Sequence, residues 1–174
     1  MSTSDIRFLR VLSIDPSPSG FGYVVMEEPQ DVIDYGTKTV KGDKNFQSLK
    51  RVQELIKYTC PHVIVVEDIN KKSTQRRERT RRLIRDITKL ASAHNIFVRS
   101  VSRLEVKAMF SQSDAFNKDQ IASAIAAQFP ELEPHLPSPR KPWMPEDTRM
   151  SIFDAASLAL VFYASKSNRA RGLQ

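Results

Sequence analysis

Residues 62–69 read His62-Val-Ile-Val-Val-Glu67-Asp68-Ile69. A run this short and this continuously apolar is the pattern of a central strand covered on both faces, and it ends in acids. Upstream, Phe46, Leu49, Val52, Leu55 and Ile56 recur at helical spacing before Pro61, which predicts a first helix. Further upstream, Arg7 to Asp15 reads as a buried strand ending at an acid, Pro16-Ser17-Pro18-Ser19-Gly20 as a turn, and Phe21 to Met26 as the second arm of a hairpin. Val32 to Val40 supplies a third strand. Downstream, Asn70 to His94 reads as a long helix, Ile96 to Val101 as a strand, and Arg103 to Phe110 and Lys118 to Phe129 as helices. A last helix is expected over Thr148 to Ala164. Antiparallel strands followed by alternating helices and strands predict an α/β domain with a mixed five-stranded sheet flanked by helices.

The 174 residues suit one domain spanning 1–174, and 40% hydrophobic with 27% charged residues is an ordinary globular composition. No apolar run approaches the roughly 20 residues that span a bilayer, and residues 1–10 lack the apolar core of a secretory signal. A cytoplasmic protein without a membrane partner is therefore expected. A single cysteine, Cys60, excludes an internal disulfide or a cysteine-built zinc site and reads as a small buried hydrophobe. The net charge of +7 is the footprint of a polyanion binder.

Three acids stand at the ends of apolar elements or inside them: Asp15 after the first strand, Glu67 after the central strand and Asp154 in the last helix. Each alone is explained more readily by a turn or a cap. Carboxylates brought together in such places repel and are costly to desolvate, so a cation between them is the economical explanation. Magnesium prefers hard oxygen ligands, and two such ions roughly 4 Å apart serve phosphodiester hydrolysis.

The segments that carry these acids have a familiar form. Val11-Leu-Ser-Ile-Asp15-Pro16-Ser-Pro-Ser-Gly20-Phe-Gly22-Tyr23-Val resembles the first motif of RuvC-type Holliday-junction resolvases, Val63-Ile-Val-Val-Glu67 their second, and Phe153-Asp154-Ala155-Ala156-Ser157-Leu158-Ala159-Leu160 their final helix. The resemblance extends over nearly the whole chain in order and spacing. It implies an RNase H-like fold, two Mg2+ ions per site with Mn2+ as a substitute, a homodimer, and paired nicks across a four-way DNA junction. It also implies a lysine near the scissile phosphate and others along the DNA, to which Lys107 and Lys118 correspond by their order after the fifth strand.

Two positions depart from the family's pattern. Ser151 stands where a second acid or a histidine usually precedes the helix aspartate, and Asn70 stands where an aromatic residue often follows the glutamate. Asp147, two helical turns before Asp154, is the first candidate for a fourth metal ligand, with Glu146 and Ser151 as alternatives.

Between Lys71 and Asp86, eight basic residues, among them Lys71, Lys72, Arg76 and Arg77, face two acids, an excess of six positive charges beside Glu67. These are candidate DNA contacts, and their affinity would fall steeply with salt. The apolar side of the same helix, with Leu83, Ile84, Ile87 and Leu90, needs cover from the sheet or from a second subunit. The proline-rich segment 130–147 holds Arg140, Lys141 and Trp143 and reads as a loop or arm that lies on DNA or is pinned by its aromatic. Residues 166–174 read as a short, basic, mobile tail.

The leading function is a metal-dependent endonuclease that resolves four-way junctions in recombination and repair. It would be nucleoid-associated in a bacterium, or in the host cytoplasm if viral. The alternatives are a nuclease for RNA–DNA hybrids or structured RNA, and a non-catalytic junction-binding protein.

Overall fold

Successive side chains of a strand point to opposite faces of its sheet, and this parity places the acids. In β1 (Val11–Ser17), Leu12 and Ile14 pack on one face, while Val11, Ser13 and Asp15 point to the other. In β4 (Val63–Glu67), Ile64 and Val66 share the face of Leu12, while Val63, Val65 and Glu67 share that of Val11. The two strands are parallel, with Val11 beside Val63 and Ser13 beside Val65. Continuing that register by two residues sets Asp15 next to Glu67 on one face.

The structure is a computed structural model and describes residues 9–70 and 76–171, with side chains up to residue 167. β2 (Gly20–Glu28), β3 (Asp31–Thr39) and β5 (Phe97–Val101) complete a sheet of order β3-β2-β1-β4-β5. The pairs β1–β2 and β2–β3 are antiparallel, and β1–β4 and β4–β5 are parallel. This is the mixed five-stranded sheet expected. β1 runs two residues past Asp15 into Pro16 and Ser17, because β4 pairs with it only as far as Ser13 and a proline beyond that point removes no donor from the β4 ladder.

One face carries α1 (Lys44–Thr59) and α2 (Glu78–Ala93). Asp43 caps α1 by accepting from the Phe46 amide, and the helix ends at Cys60 in the left-handed region at φ 47°. Cys60 is exposed rather than the buried hydrophobe expected, because it serves as the left-handed end of α1 through its backbone. The apolar residues of α2, Leu83, Ile84, Ile87 and Ala91, are buried against the chain's own sheet and α1. A second subunit is not what covers that stripe. Nor does this helix begin near Asn70: Asn70 lies in a turn held by the Asp68 side chain, Arg76 and Arg77 are non-helical, and α2 starts at Glu78.

The other face carries α3 (Arg103–Ser111), α4 (Lys118–Gln128) and α5 (Met150–Arg171). All residues from Met150 to Tyr163 are buried, as expected for a helix that is apolar all round. The Tyr163 hydroxyl sits 2.8 Å from the Leu9 carbonyl and 3.0 Å from that of Met26, tying α5 to the sheet. The helix continues to Arg171, so the backbone from residue 166 to 171 is helical where a mobile tail was expected. The proline-rich segment also begins with order: Pro130–His135 forms a 3-10 helix with Leu132 fully buried, and the Tyr35 hydroxyl donates to the Glu131 carbonyl at 2.9 Å. No helix among the described residues is long and apolar enough to cross a membrane.

Candidate active site

Asp15 lies directly opposite Gly22 in the β1–β2 ladder, so the two residues face the same side. With no side chain at Gly22, the first turn of α5 settles against the sheet there, and Ser151 sits on the glycine. Asp154 follows Ser151 by three residues, on the same side of the helix. One glycine thus brings the carboxylate of α5 beside those of β1 and β4. All three side chains are buried: Asp15 and Glu67 are 2% exposed and Asp154 is 6%.

Basic side chains occupy the space between these acids. Arg103, the first residue of α3, places Nη2 3.3 Å from Asp15 Oδ1 and 3.2 Å from Glu67 Oε2, and Nη1 3.1 Å from Asp154 Oδ1. Arg76 pairs with Asp15 through Nη2 and with Glu67 through Nε at 2.6 Å, and donates to the Pro16 carbonyl. Lys118 Nζ lies 2.8 Å from Asp154 Oδ2 and 2.7 Å from Glu146 Oε1. Among the described residues, three carboxylates therefore meet three cations. Burial raises the Asp15 carboxyl from its usual value to about 6; Arg76 works against that rise, and Asp154 adds to it. Burial also opposes the charges of Arg76, Arg103 and Lys118, but the carboxylates outweigh it and hold all three basic groups above their ordinary values.

A cavity of about 510 Å3 opens on this cluster, walled by Glu67, Asp154, Arg103, Lys107, Asn117 and Lys118, with Phe116 61% exposed at its rim. The exposed Lys107 makes no ion pair among the described residues. It stands one helical turn from Arg103 on α3, whose capping box of Ser102 and Glu105 fixes the backbone there. A second cleft, of about 430 Å3, lies beyond Arg76 at the β1–β2 turn and is lined by Lys44, Arg77 and Arg79.

The expected residues are thus distributed unevenly. Asp15, Glu67 and Asp154 are together, Lys107 and Lys118 border the same cavity, and Arg76 is inside the cluster rather than on a helix face. Arg77 is exposed at the start of α2, and Lys71 and Lys72 lie outside the described residues. Asp147 precedes α5 instead of lying two turns up it, and both its oxygens engage Arg149, at 3.0 Å and 2.6 Å, which holds its carboxyl below the usual range. Glu146 is the acid that shares a cation with Asp154. Ser151 donates to the Thr148 carbonyl at 2.6 Å. Arg103 carries no site motif in the sequence; its one signal is its place four residues before Lys107, which puts both on one helix face.

The donor set suits a magnesium ion: hard, buried, anionic oxygens from three separate elements, already converging on positive charge. Among the described residues no three such side chains form a ready cage, because guanidinium groups stand between them.

No family model and no curated protein matches the chain. Solved structures do. RuvC of Thermus thermophilus in complex with a Holliday-junction substrate superposes with a TM-score of 0.64 at 16% identity, covering 91% of this chain and 96% of that one. A yeast mitochondrial Holliday-junction resolvase gives 0.63 at 15% identity, covering 95% and 83%. The Fowlpox virus resolvase in complex with Holliday-junction DNA gives 0.52 at 11% identity, covering 91% and 99%. The chain has the fold of RuvC-type resolvases.

Proposed function

We propose, from a chain that folds as the RuvC-type resolvases do, that this protein is a metal-dependent endonuclease that resolves four-way DNA junctions by paired nicks. The observation that carries the reading is the meeting of Asp15, Glu67 and Asp154 over one sheet face, beside a cavity that Glu67 and Asp154 line together with Lys107 and Lys118. Asp15, Glu67 and Asp154 would hold Mg2+, with Mn2+ as a substitute, and Glu146 or Asp147 would supply the fourth carboxylate. The bound ions supply an activated water and charge stabilisation at the phosphate.

The chain's own groups do the rest. Lys107, free of acidic partners among the described residues, neutralises a phosphate oxygen at the cavity mouth. Lys118 orients Asp154 and Glu146 through its two ion pairs. Arg77 and Arg79, with Lys44, continue the positive surface past the β1–β2 turn and seat flanking phosphates. Phe116 offers an apolar face to an unpaired base. Symmetric nicking of a junction with two-fold character needs two sites related by a two-fold axis, so a homodimer belongs to this reading. The protein would work in the cytoplasm.

The test incubates the purified protein and Mg2+ with a mobile four-way junction, a duplex, a single strand and an RNA–DNA hybrid, beside Asp154→Asn as a control. Paired nicks in the junction alone support the reading. Preferential cutting of the hybrid would transfer the site to RNA, and binding without any cutting would make the protein a junction-binding module.

A further inference from the structure

Arg103 is the one described residue whose side chain touches all three carboxylates of the cluster. Its two terminal nitrogens reach Asp15, Glu67 and Asp154 at 3.3, 3.2 and 3.1 Å, and its side chain is 19% exposed. Its backbone is fixed, since it opens α3 inside the capping box that Ser102 and Glu105 form around it. The long side chain is therefore the only part that has to move for the carboxylates to release it.

A guanidinium is planar, permanently charged and able to donate in several directions at once, so it can bridge separate carboxylates in the absence of other counter-ions. Three buried carboxylates without a cation would repel one another and open the site. A divalent ion taking oxygens from all three needs lone pairs that Arg103 now occupies; Arg76 shares those of Asp15 and Glu67 and Lys118 holds the other oxygen of Asp154, but Arg103 alone of the three pairs with every one of the carboxylates. Guanidinium and metal thus compete for one set of donors.

We propose that Arg103 is a displaceable counter-ion of the catalytic carboxylates: a positioning residue that keeps Asp15, Glu67 and Asp154 assembled before metal arrives and must leave them when it binds. The inference rests on the metal-dependent reading given above. The exchange is one of ion pairs only. Arg103 keeps its proton, the carboxylates keep their charge, and the released guanidinium turns toward the cavity, where the substrate phosphate would lie. The consequence is a raised metal threshold, because each ion bound costs the contacts of Arg103.

The experiment uses the intact protein without DNA. Mn2+ binding is measured by calorimetry for the wild type, Arg103→Gln and Arg103→Lys, and unfolding is followed in chelator and in excess Mn2+. Removing this charge-assisted competitor should tighten metal binding by roughly tenfold or more in Arg103→Gln. The same variant should unfold at lower temperature in chelator and show a larger rise on adding metal. Arg103→Lys, which keeps the charge but not the fork, should fall between the two. An equal or weaker metal affinity in Arg103→Gln overturns the proposal and leaves the nuclease reading standing. Absence of divalent-ion binding by all three proteins removes the metal-dependent reading and this inference with it. The wild type provides a check that needs no variant: its guanidinium Nε–H resonances, followed by NMR during Mg2+ addition, should shift for Arg103, and resonances that stay in place at saturation also overturn it.

Discussion

Ser151 of α5 rests on Gly22 of β2 so closely that a Cβ at residue 22 would lie 2.3 Å from the Ser151 hydroxyl oxygen and 2.4 Å from its carbonyl carbon. Backbone cannot yield as a flexible side chain does, so α5 itself would have to lift. Because Gly22 is the ladder partner of Asp15 and Asp154 lies one turn beyond Ser151, the contact sets the distance between two of the three carboxylates. Gly22→Ala should cost about 1–3 kcal/mol of stability, the usual range for overpacking, and should weaken metal binding as well. Gly36→Ala is the control, since its Cβ would meet only the Tyr23 ring at 3.4 Å. Thermal unfolding and metal calorimetry of both variants check this, and a Gly22→Ala protein with wild-type metal affinity would disconnect the glycine from the site.

The raised carboxyl of Asp15 makes the metal-free protein sensitive to pH in a defined direction. The folded state holds this proton more tightly than the unfolded chain, so its contribution to stability is full below about pH 4 and is lost as pH rises through about 6. Asp15→Asn cannot titrate. In chelator, the variant should match the wild type near pH 4 and exceed it at pH 8, by at most ~3 kcal/mol for a shift of this size. Saturating Mg2+ should reverse the order, since only the wild type has the ligand. Denaturant midpoints across pH 4–8, with and without metal, provide the measurement, and a variant less stable than wild type in chelator at pH 8 would contradict it.

For the fourth ligand, the two acids before α5 make opposite predictions. Glu146 already shares Lys118 with Asp154, whereas Asp147 is committed to Arg149. Glu146→Gln should therefore raise the Mg2+ concentration for half-maximal cleavage by about tenfold, the scale on which supporting groups alter metal affinity. Asp147→Asn should leave the curve nearly unchanged. The reverse pattern in a magnesium titration would return the role to Asp147.

What the sequence disclosed follows from periodicity. Leu12 and Ile14 against Val11 and Asp15, and Ile64 and Val66 against Val65 and Glu67, already contain the two-residue alternation that puts both acids on one face. Helix ends were less legible. α2 begins at Glu78 rather than near Asn70 because the Arg76 side chain is drawn into the carboxylates, a tertiary attraction that no local propensity records. Cys60 is exposed because a residue that ends a helix in the left-handed region does so through its backbone, whatever its hydrophobicity. Ser151, read as a deviation at a ligand position, is the residue packed on Gly22. Arg103 stayed hidden because a basic residue at a helix start is ordinarily a surface residue, and only the fold brings Asp15, Glu67 and Asp154 to it.

The ion pairs also predict how cleavage and binding separate. Asp15→Asn, Glu67→Gln and Asp154→Asn should each abolish cleavage, since each removes an anionic donor from the metal site. None should weaken junction binding in chelator, because the carboxylates contribute only repulsion toward phosphate. Asp154→Asn should bind most tightly of the three: it leaves Lys118 with Glu146 as its remaining partner and takes one carboxylate from Arg103. Each cation that then reaches a phosphate adds about 0.9 to the slope of log affinity against log salt concentration. A steeper slope for Asp154→Asn than for wild type, by about one to two, is the expected result of a salt series with a four-way junction. An unchanged slope would mean that Lys118 and Arg103 never meet the DNA, and cleavage at near wild-type rate by any of the three variants would remove that residue from the site.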